Sequence, residues 1–164
     1  MTPKLFAETA VMPALRILSG FMPPSVNTPV AARFITAIAI QESRLKARRQ
    51  MADGPARSFL QFESVGVDDA LSHPRSRREA SKLCEILCYR LTADEPKNIA
   101  LIMAAIEHND VLAAGFARLN LWNSNHVMPA TEDDGWRIYL DQWRPGKPDR
   151  QRWVTSWADG QSVV

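Results

Sequence analysis

The sequence predicts a compact, mostly α-helical single domain that spans residues 1–164, with at most a minimal β element. The chain has 164 residues, of which 46% are hydrophobic and 23% are charged, and a chain of this length and composition can bury a core of its own. Apolar residues recur at the three- and four-residue spacing of helices. Capping residues and prolines mark the ends of these segments. Together, these observations favour one helical domain.

The first two predicted helices each begin with a threonine that is followed by proline. Threonine caps the free backbone N–H groups of a helix start, and proline fits the first helical position. Residues 2–18 form the first predicted helix and residues 27–44 the second. A loop rich in Gly and Pro follows over residues 51–66. It contains the apolar segment SFLQF at 58–62, which could form a short strand, although no partner strand is obvious.

Five further helices are predicted in the remainder of the chain. Their limits follow from capping side chains, apolar spacing and prolines. They comprise residues 76–91, a helix capped by Asp94, residues 111–122 capped by Asp110, a helix that starts at Thr131 and ends before Pro145, and residues 151–158.

Neither the cysteines nor the histidines form a recognisable metal site. Cys84 and Cys88 would share one face of the helix at 76–91, a spacing that disfavours a disulfide, and no third and fourth zinc ligands are near. We interpret both as small core residues. The histidines, at positions 73, 108 and 126, lack metal-ligand spacing, and no phosphate-binding or dinucleotide-binding glycine motif occurs. The sequence therefore predicts no metal and no cofactor.

The net charge of +2 and the pI of about 8.7 make the chain mildly basic. This permits an anionic partner such as a nucleic acid, a lipid surface or a bacterial cell wall. Basic residues cluster at 44–49 and 75–82, and we interpret both clusters as solvated helix faces. Nucleic acid is the least favoured partner, because the helix before the first cluster is apolar. The N-terminus lacks the features of a secretory signal, and no segment is long and apolar enough for a membrane span.

Glu42 is the most informative carboxylate in the sequence. Phe34, Ile38 and Glu42 are spaced by four residues, so Glu42 continues the apolar face of its helix. Desolvation there would raise its pKa, and a carboxyl group that stays protonated near neutral pH can give a proton to the leaving oxygen of a glycosidic bond. The alternative is a helix-end glutamate that reaches water or pairs with Arg44 or Arg48.

Two neighbouring segments carry a resemblance to a known superfamily. "QESRLKARRQ" at 41–50 is followed by "GPARSFLQFE" at 54–63. A Glu-Ser pair at the end of a buried helix, followed by a small-residue loop and an apolar-apolar-Gln segment, resembles the lysozyme-like superfamily, in particular the soluble lytic transglycosylase type. The resemblance is strongest over residues 34–63. With the later "GWRIYLDQWRPGKP", the chain also looks like small proteins encoded in tailed-phage genomes.

The resemblance implies a lysozyme-like fold and cleavage of peptidoglycan glycan strands. It matches Glu42 to the catalytic acid, Ser43 to its partner serine, and Gln61 and Phe62 to the glutamine segment. We expect Ser43, Gln61 and Phe62 to bind substrate. Gln61 could hydrogen-bond an N-acetyl or hydroxyl group of the sugar, or it could instead satisfy its own backbone. Lytic transglycosylases need only this one acid/base, because the 6-hydroxyl of the sugar attacks and gives an anhydro product. The protein would act from a phage virion or in the host cell envelope (the periplasm) during infection, with other virion proteins as further candidate partners.

The chain departs from the family pattern at two places. Ser58 stands where the family usually has glycine, which puts the loop geometry in question. The family's later segment with a tyrosine facing the acid has no counterpart in the fourth helix. We expect Tyr139 to replace that phenol and Trp143 to contact substrate. Aromatic faces can stack on sugar rings, although each tryptophan could instead fill the core. The tryptophans are Trp122, Trp136, Trp143, Trp153 and Trp157.

Two questions stay open at the level of the sequence. A second catalytic carboxylate, as ordinary glycosidases use, could be Asp53 or Glu63, although surface or capping roles suit both. The alternative function is a non-catalytic structural or adaptor component of a phage virion that keeps a lysozyme-like fold.

Overall fold

The computed structural model describes residues 1–50 and 54–164, and it confirms the mostly α-helical fold. The helices follow one another around a shared core. In chain order they are α1 Pro3–Phe6, a π-helical turn Ala7–Val11, α2 Met12–Ser19, a 3-10 turn Pro24–Val26, α3 Pro29–Ser43, α4 Ser64–Ser72, α5 Arg77–Ile86, α6 Glu95–Ile106, α7 Asp110–Asn123, α8 Glu132–Trp143 and α9 Arg150–Gln161. No helix in the described part of the chain is long and apolar enough to cross a membrane.

Most of the predicted helix starts are confirmed by their caps. The side chains of Thr2, Thr28, Asp94 and Thr131 each accept a hydrogen bond from a backbone N–H in the first turn. The predicted cap of α7 is wrong by one residue. Asn109 is the cap, since its side-chain oxygen accepts from the backbone N–H of Leu112 at 2.9 Å. Asparagine and aspartate cap helices about equally well, so the sequence alone could not show which of Asn109 and Asp110 is the cap.

The middle of the chain differs most from the sequence prediction. Helix α4 was not predicted, because its start has no side-chain cap and few of its residues are buried. Helix α5 ends at Ile86, several residues earlier than expected, since Cys88 has a positive φ of 64°. Cys88 is therefore exposed, and its assignment to the core is wrong. Cys84 is buried as predicted, and burial raises the pKa of its thiol to about 12.

The segment SFLQF is a tight turn closed by backbone hydrogen bonds. Arg57 and Phe62 exchange two N–H···O bonds of 2.8 Å, and Arg57 also pairs with Arg49 as an isolated antiparallel bridge. No longer strand occurs in residues 1–50 and 54–164. The expectation of at most a minimal β element is therefore confirmed for the described residues.

The first basic cluster is not a helix face. Helix α3 ends at Ser43, and Arg48 then donates to both carboxylate oxygens of Asp110, at 3.2 and 2.6 Å. Arg49 makes a similar pair with Glu107. These ion pairs hold the chain after α3 against the start of α7 and the end of α6. The second cluster does lie mainly on a solvated face of α5.

Helix α3 is largely buried, and α9 packs closely along it. A Cβ atom added at Gly160 would lie 2.7 Å from the Cβ of Ala37, so glycine permits this close approach. Trp153 on α9 is fully buried, and its ring meets that of Phe34 edge to face, with centroids 6.2 Å apart. The contact between the two helices fixes the position of the α3 C-terminus, which carries Glu42.

Candidate functional site

An open cleft of about 910 Å³ lies at the C-terminal end of α3. Its walls come from the end of α3, the turn before α4, the ends of α7 and α8, and the segment between α8 and α9. All of the residues predicted for the site line this cleft. They are Glu42, Ser43, Gln61, Phe62, Tyr139 and Trp143. The fold thus brings together three segments that are far apart in the sequence.

Glu42 is held by a short hydrogen bond from a tyrosine. The hydroxyl of Tyr139 donates to Oε1 of Glu42 at 2.6 Å. Neither arginine proposed as an alternative partner makes this contact, because Arg48 pairs with Asp110 and Arg44 is exposed at the helix end. Since Oε1 already accepts a hydrogen bond from the Tyr139 hydroxyl, Oε2 is the oxygen that can carry the acidic proton of Glu42.

The surroundings of Glu42 favour its protonated form. Burial is the largest effect and raises the pKa of the carboxyl above its usual value. The hydrogen bond from Tyr139 and the positive charge of Arg152 oppose this and lower the pKa, while the negative charge of Glu63 raises it. A raised pKa is the property expected of a general acid.

The ring of Tyr139 packs against the aromatic core. Its ring stacks on that of Trp153, with centroids 5.1 Å apart and an angle of 12° between the planes. Tyr139 itself is 2% exposed. Burial, followed by the nearby charge of Glu42, raises the pKa of its hydroxyl, so Tyr139 stays a neutral donor. The stacking therefore holds the Tyr139 hydroxyl in position to donate to Oε1 of Glu42.

Arg152 on α9 is a site residue that was not predicted from the sequence. Its Nη1 donates to the backbone oxygen of Gln41 at 3.0 Å, and its Nε lies 3.7 Å from the Asp149 carboxylate. Gln41 is also buried, and its side chain bonds the backbone of Asp149 and the hydroxyl of Ser156. These contacts tie the last turn of α3 to α9. The hydrogen bonds of Gln41 join residues more than a hundred positions apart, for which the local sequence pattern has no signal.

Ser43 shapes the chain reversal after Glu42. Its Oγ donates to the backbone oxygen of Ala39 at 3.0 Å and accepts from the backbone N–H of Leu45 at 3.1 Å. Arg44 and Leu45 both have a positive φ of 54°, a conformation that side chains resist. The Ser43 hydroxyl, which was expected to bind substrate, is thus bonded to the main chain.

Ser58 adopts the conformation for which glycine is favoured. Its φ is 66°, and it is fully buried. Its Oγ accepts a hydrogen bond from the backbone N–H of Leu60 at 3.1 Å, which offsets part of the strain. Gln61 also has a positive φ, of 50°, and its side-chain nitrogen donates to the backbone oxygen of Ser58 at 2.7 Å. The turn therefore keeps a defined shape without the glycine.

The two predicted aromatic contacts support the wall of the cleft. The ring centroids of Phe62 and Trp143 are 6.0 Å apart, and Nε1 of Trp143 donates to the backbone oxygen of Leu60 at 3.0 Å. Phe62 is only 3% exposed and offers little surface to a sugar. Trp143 is partly exposed, so it is the better candidate for stacking. Trp153 fills the core instead.

Of the two candidates for a second catalytic carboxylate, only Glu63 lies within the described residues. Glu63 is exposed, lines the cleft and acts electrostatically on Glu42. Asp53 lies outside the described residues. Within residues 1–50 and 54–164, no group of three or more His, Cys, Asp or Glu side chains is arranged to hold a metal ion.

Comparisons with protein-family models, with curated proteins and with solved structures find no match to this chain.

Proposed function

We propose that the chain is a peptidoglycan-cleaving enzyme of the lytic transglycosylase or lysozyme type, with Glu42 as the acid/base. The observation that carries the proposal is a single partly buried carboxyl with a raised pKa, held by Tyr139 in an open cleft. The short motif over residues 34–63 supports the same assignment. A phage virion or the host periplasm during infection would be its place of action.

The proposed reaction uses the carboxyl group of Glu42 twice, first as an acid and then as a base. Glu42 gives the proton on Oε2 to the glycosidic oxygen as the bond from C1 to that oxygen breaks, which leaves an oxocarbenium-like sugar. The carboxylate then takes a proton from the 6-hydroxyl of the same sugar as that oxygen bonds to C1. The product is a 1,6-anhydro sugar, and Glu42 is protonated again. If water attacks in place of the 6-hydroxyl, the product has a reducing end.

Tyr139 has a positioning role in this scheme. Its hydrogen bond becomes stronger when Glu42 is ionised, because a charged acceptor forms the stronger bond. It would thus stabilise the carboxylate that forms after the first proton transfer. Trp143 and Gln61, which line the same cleft, are candidates for contacts with the sugar.

The second candidate is a non-catalytic virion component. The observation that favours it is the pair of groups that lower the pKa of Glu42, namely the Tyr139 hydroxyl and the Arg152 charge. If these two groups lowered the pKa of Glu42 by more than burial raises it, Glu42 would stay ionised. It would then act only as a hydrogen-bond acceptor that ties α3 to α8. Product analysis separates the two candidates.

The test is digestion of purified peptidoglycan by the protein from acidic to neutral pH, with the soluble products identified by mass spectrometry. We expect muropeptides with anhydro ends, whereas reducing ends would identify a hydrolase that uses the same acid. Release of no muropeptide over this pH range would contradict the enzymatic proposal and favour the structural one.

A further inference from the structure

A second pocket, away from Glu42, contains a buried arginine without an acidic partner. We call it the Arg118 pocket. It has a volume of about 440 Å³ and lies between the turn after α2 and the loop that follows α7. Arg118 and Arg75 supply its positive charge, and Trp122, Val30, Leu121 and Met128 supply apolar lining.

The charge of Arg118 is only partly compensated. The residue is 3% exposed, and its Nε and Nη2 donate to the backbone oxygens of Val26 and Ser25 at 2.9 and 3.3 Å. Its Nη1 has no hydrogen-bond partner among the described residues. Burial without a nearby counter-charge lowers the pKa of the guanidinium to about 10. A buried cation of this kind is costly unless an anion joins it.

A second arginine shares the same tryptophan. The guanidinium carbons of Arg75 and Arg118 lie 5.8 and 5.4 Å from the ring centroid of Trp122. Neither arginine forms an ion pair with a carboxylate of the described residues. Arg75 is exposed and donates to the backbone oxygen of Ser124 at 3.3 Å. Two guanidinium groups without a carboxylate partner among the described residues thus line one small pocket.

We propose that the Arg118 pocket binds the oxyanion group, carboxylate or phosphate, of a small ligand that also has an apolar or aromatic body. Guanidinium groups match both oxyanions in geometry and charge. The indole ring and the apolar side chains suit the body of the ligand. The site is independent of the function proposed for Glu42.

The test is a titration of the full chain, monitored by the NMR signals of the tryptophan indole N–H groups. Comparison with Trp122→Phe identifies the signal of Trp122. The probes are benzoate and phenyl phosphate, with benzyl alcohol as the uncharged control. We expect at least one anion to shift the Trp122 signal saturably and benzyl alcohol to have a much smaller effect. The better anion identifies the preferred oxyanion.

A matched pair of variants tests the role of the charges. Arg75→Gln removes an exposed partner of the pocket and should weaken anion binding about tenfold, the loss expected for one charged hydrogen bond. Arg78→Gln, an exposed arginine on α5 outside this pocket, should leave binding unchanged. The proposal is overturned if neither anion gives a saturable shift, if benzyl alcohol binds as well, or if the two variants bind equally.

Discussion

Neighbouring groups act on the pKa of Glu42 in opposite directions. Burial favours the neutral acid, while Tyr139 and Arg152 favour the carboxylate. In the proposed reaction Glu42 acts first as an acid and then as a base, and groups that favour each form surround it. The position of Glu42 at the end of a buried helix therefore explains why its pKa is raised.

The pKa of Glu42 leads to a prediction about stability. Its pKa in the folded state is raised above that in the unfolded chain, so ionisation on raising the pH costs folding stability. The contribution is fully present below the unfolded pKa and is lost as the pH rises through the folded pKa. Glu42→Gln removes this loss, and we expect it to raise Tm relative to wild type more at about pH 8 than at about pH 4.

The control for this prediction is Glu85→Gln, the same change at an exposed position outside the cleft. Its Tm difference from wild type should be small at both pH values. Equal Tm differences for Glu42→Gln at the two pH values would show that Glu42 ionises normally.

Tyr139→Phe tests the hydrogen bond to Glu42. The ring can still stack on Trp153, while Oε1 of Glu42 loses the donor that lowers its pKa. We expect the alkaline limb of the pH–activity profile to move to higher pH, and the protein to lose about 1–3 kcal/mol of stability at neutral pH. Tyr89→Phe is the matched control, because Tyr89 lies outside the cleft. An unchanged profile for Tyr139→Phe would remove Tyr139 from the mechanism.

At the scale of elements, the packing of α9 on α3 holds the site together. At Gly160 the two helices approach so closely that an added Cβ would lie 2.7 Å from the Ala37 side chain and 2.8 Å from the backbone oxygen of Arg33. A side chain there must push α9 outward. Because α9 also carries Trp153 and Arg152, the displacement would reach both Tyr139 and Glu42.

Gly160→Ala should therefore destabilise the protein by about 1–3 kcal/mol, the usual cost of overpacking, and reduce any activity of the cleft. Chemical denaturation measures the free energy of unfolding. Gly146→Ala is the control, since nothing lies within 4 Å of its added Cβ, and we expect a change within about 0.5 kcal/mol. Similar values for the two variants would show that the α3–α9 contact is loosely packed.

The helices were predictable wherever local chemistry marks their ends. Thr28 and Thr131 cap as expected, because a cap depends only on the next few residues. Helix α4 was missed because its start has no side-chain cap. The exposure of Cys88 was missed because its helix ends in a left-handed residue that is not glycine. Such an end is decided by packing and has no local signature.

At the scale of the whole molecule, the cleft joins residues that the chain separates widely. Glu42, Gln61 and Tyr139 were predicted as site residues from three segments, and the fold brings them to one cleft. The Tyr139–Glu42 hydrogen bond spans 97 positions and the Arg152–Gln41 bond spans 111. The first pair was expected because the family places a phenol opposite the acid, and Tyr139, one of two tyrosines in the chain, lies among Trp136 and Trp143. The second depends on how α9 packs against α3, which no local pattern specifies.

The most direct measurement is the rate of muropeptide release from purified peptidoglycan by wild type, Glu42→Gln and Glu85→Gln, compared side by side. The account predicts that Glu85→Gln matches wild type, whereas Glu42→Gln remains folded and loses about 10²–10⁴-fold in rate, the contribution of a general acid. Release by Glu42→Gln at the wild-type rate would contradict the assignment of Glu42 as the catalytic acid.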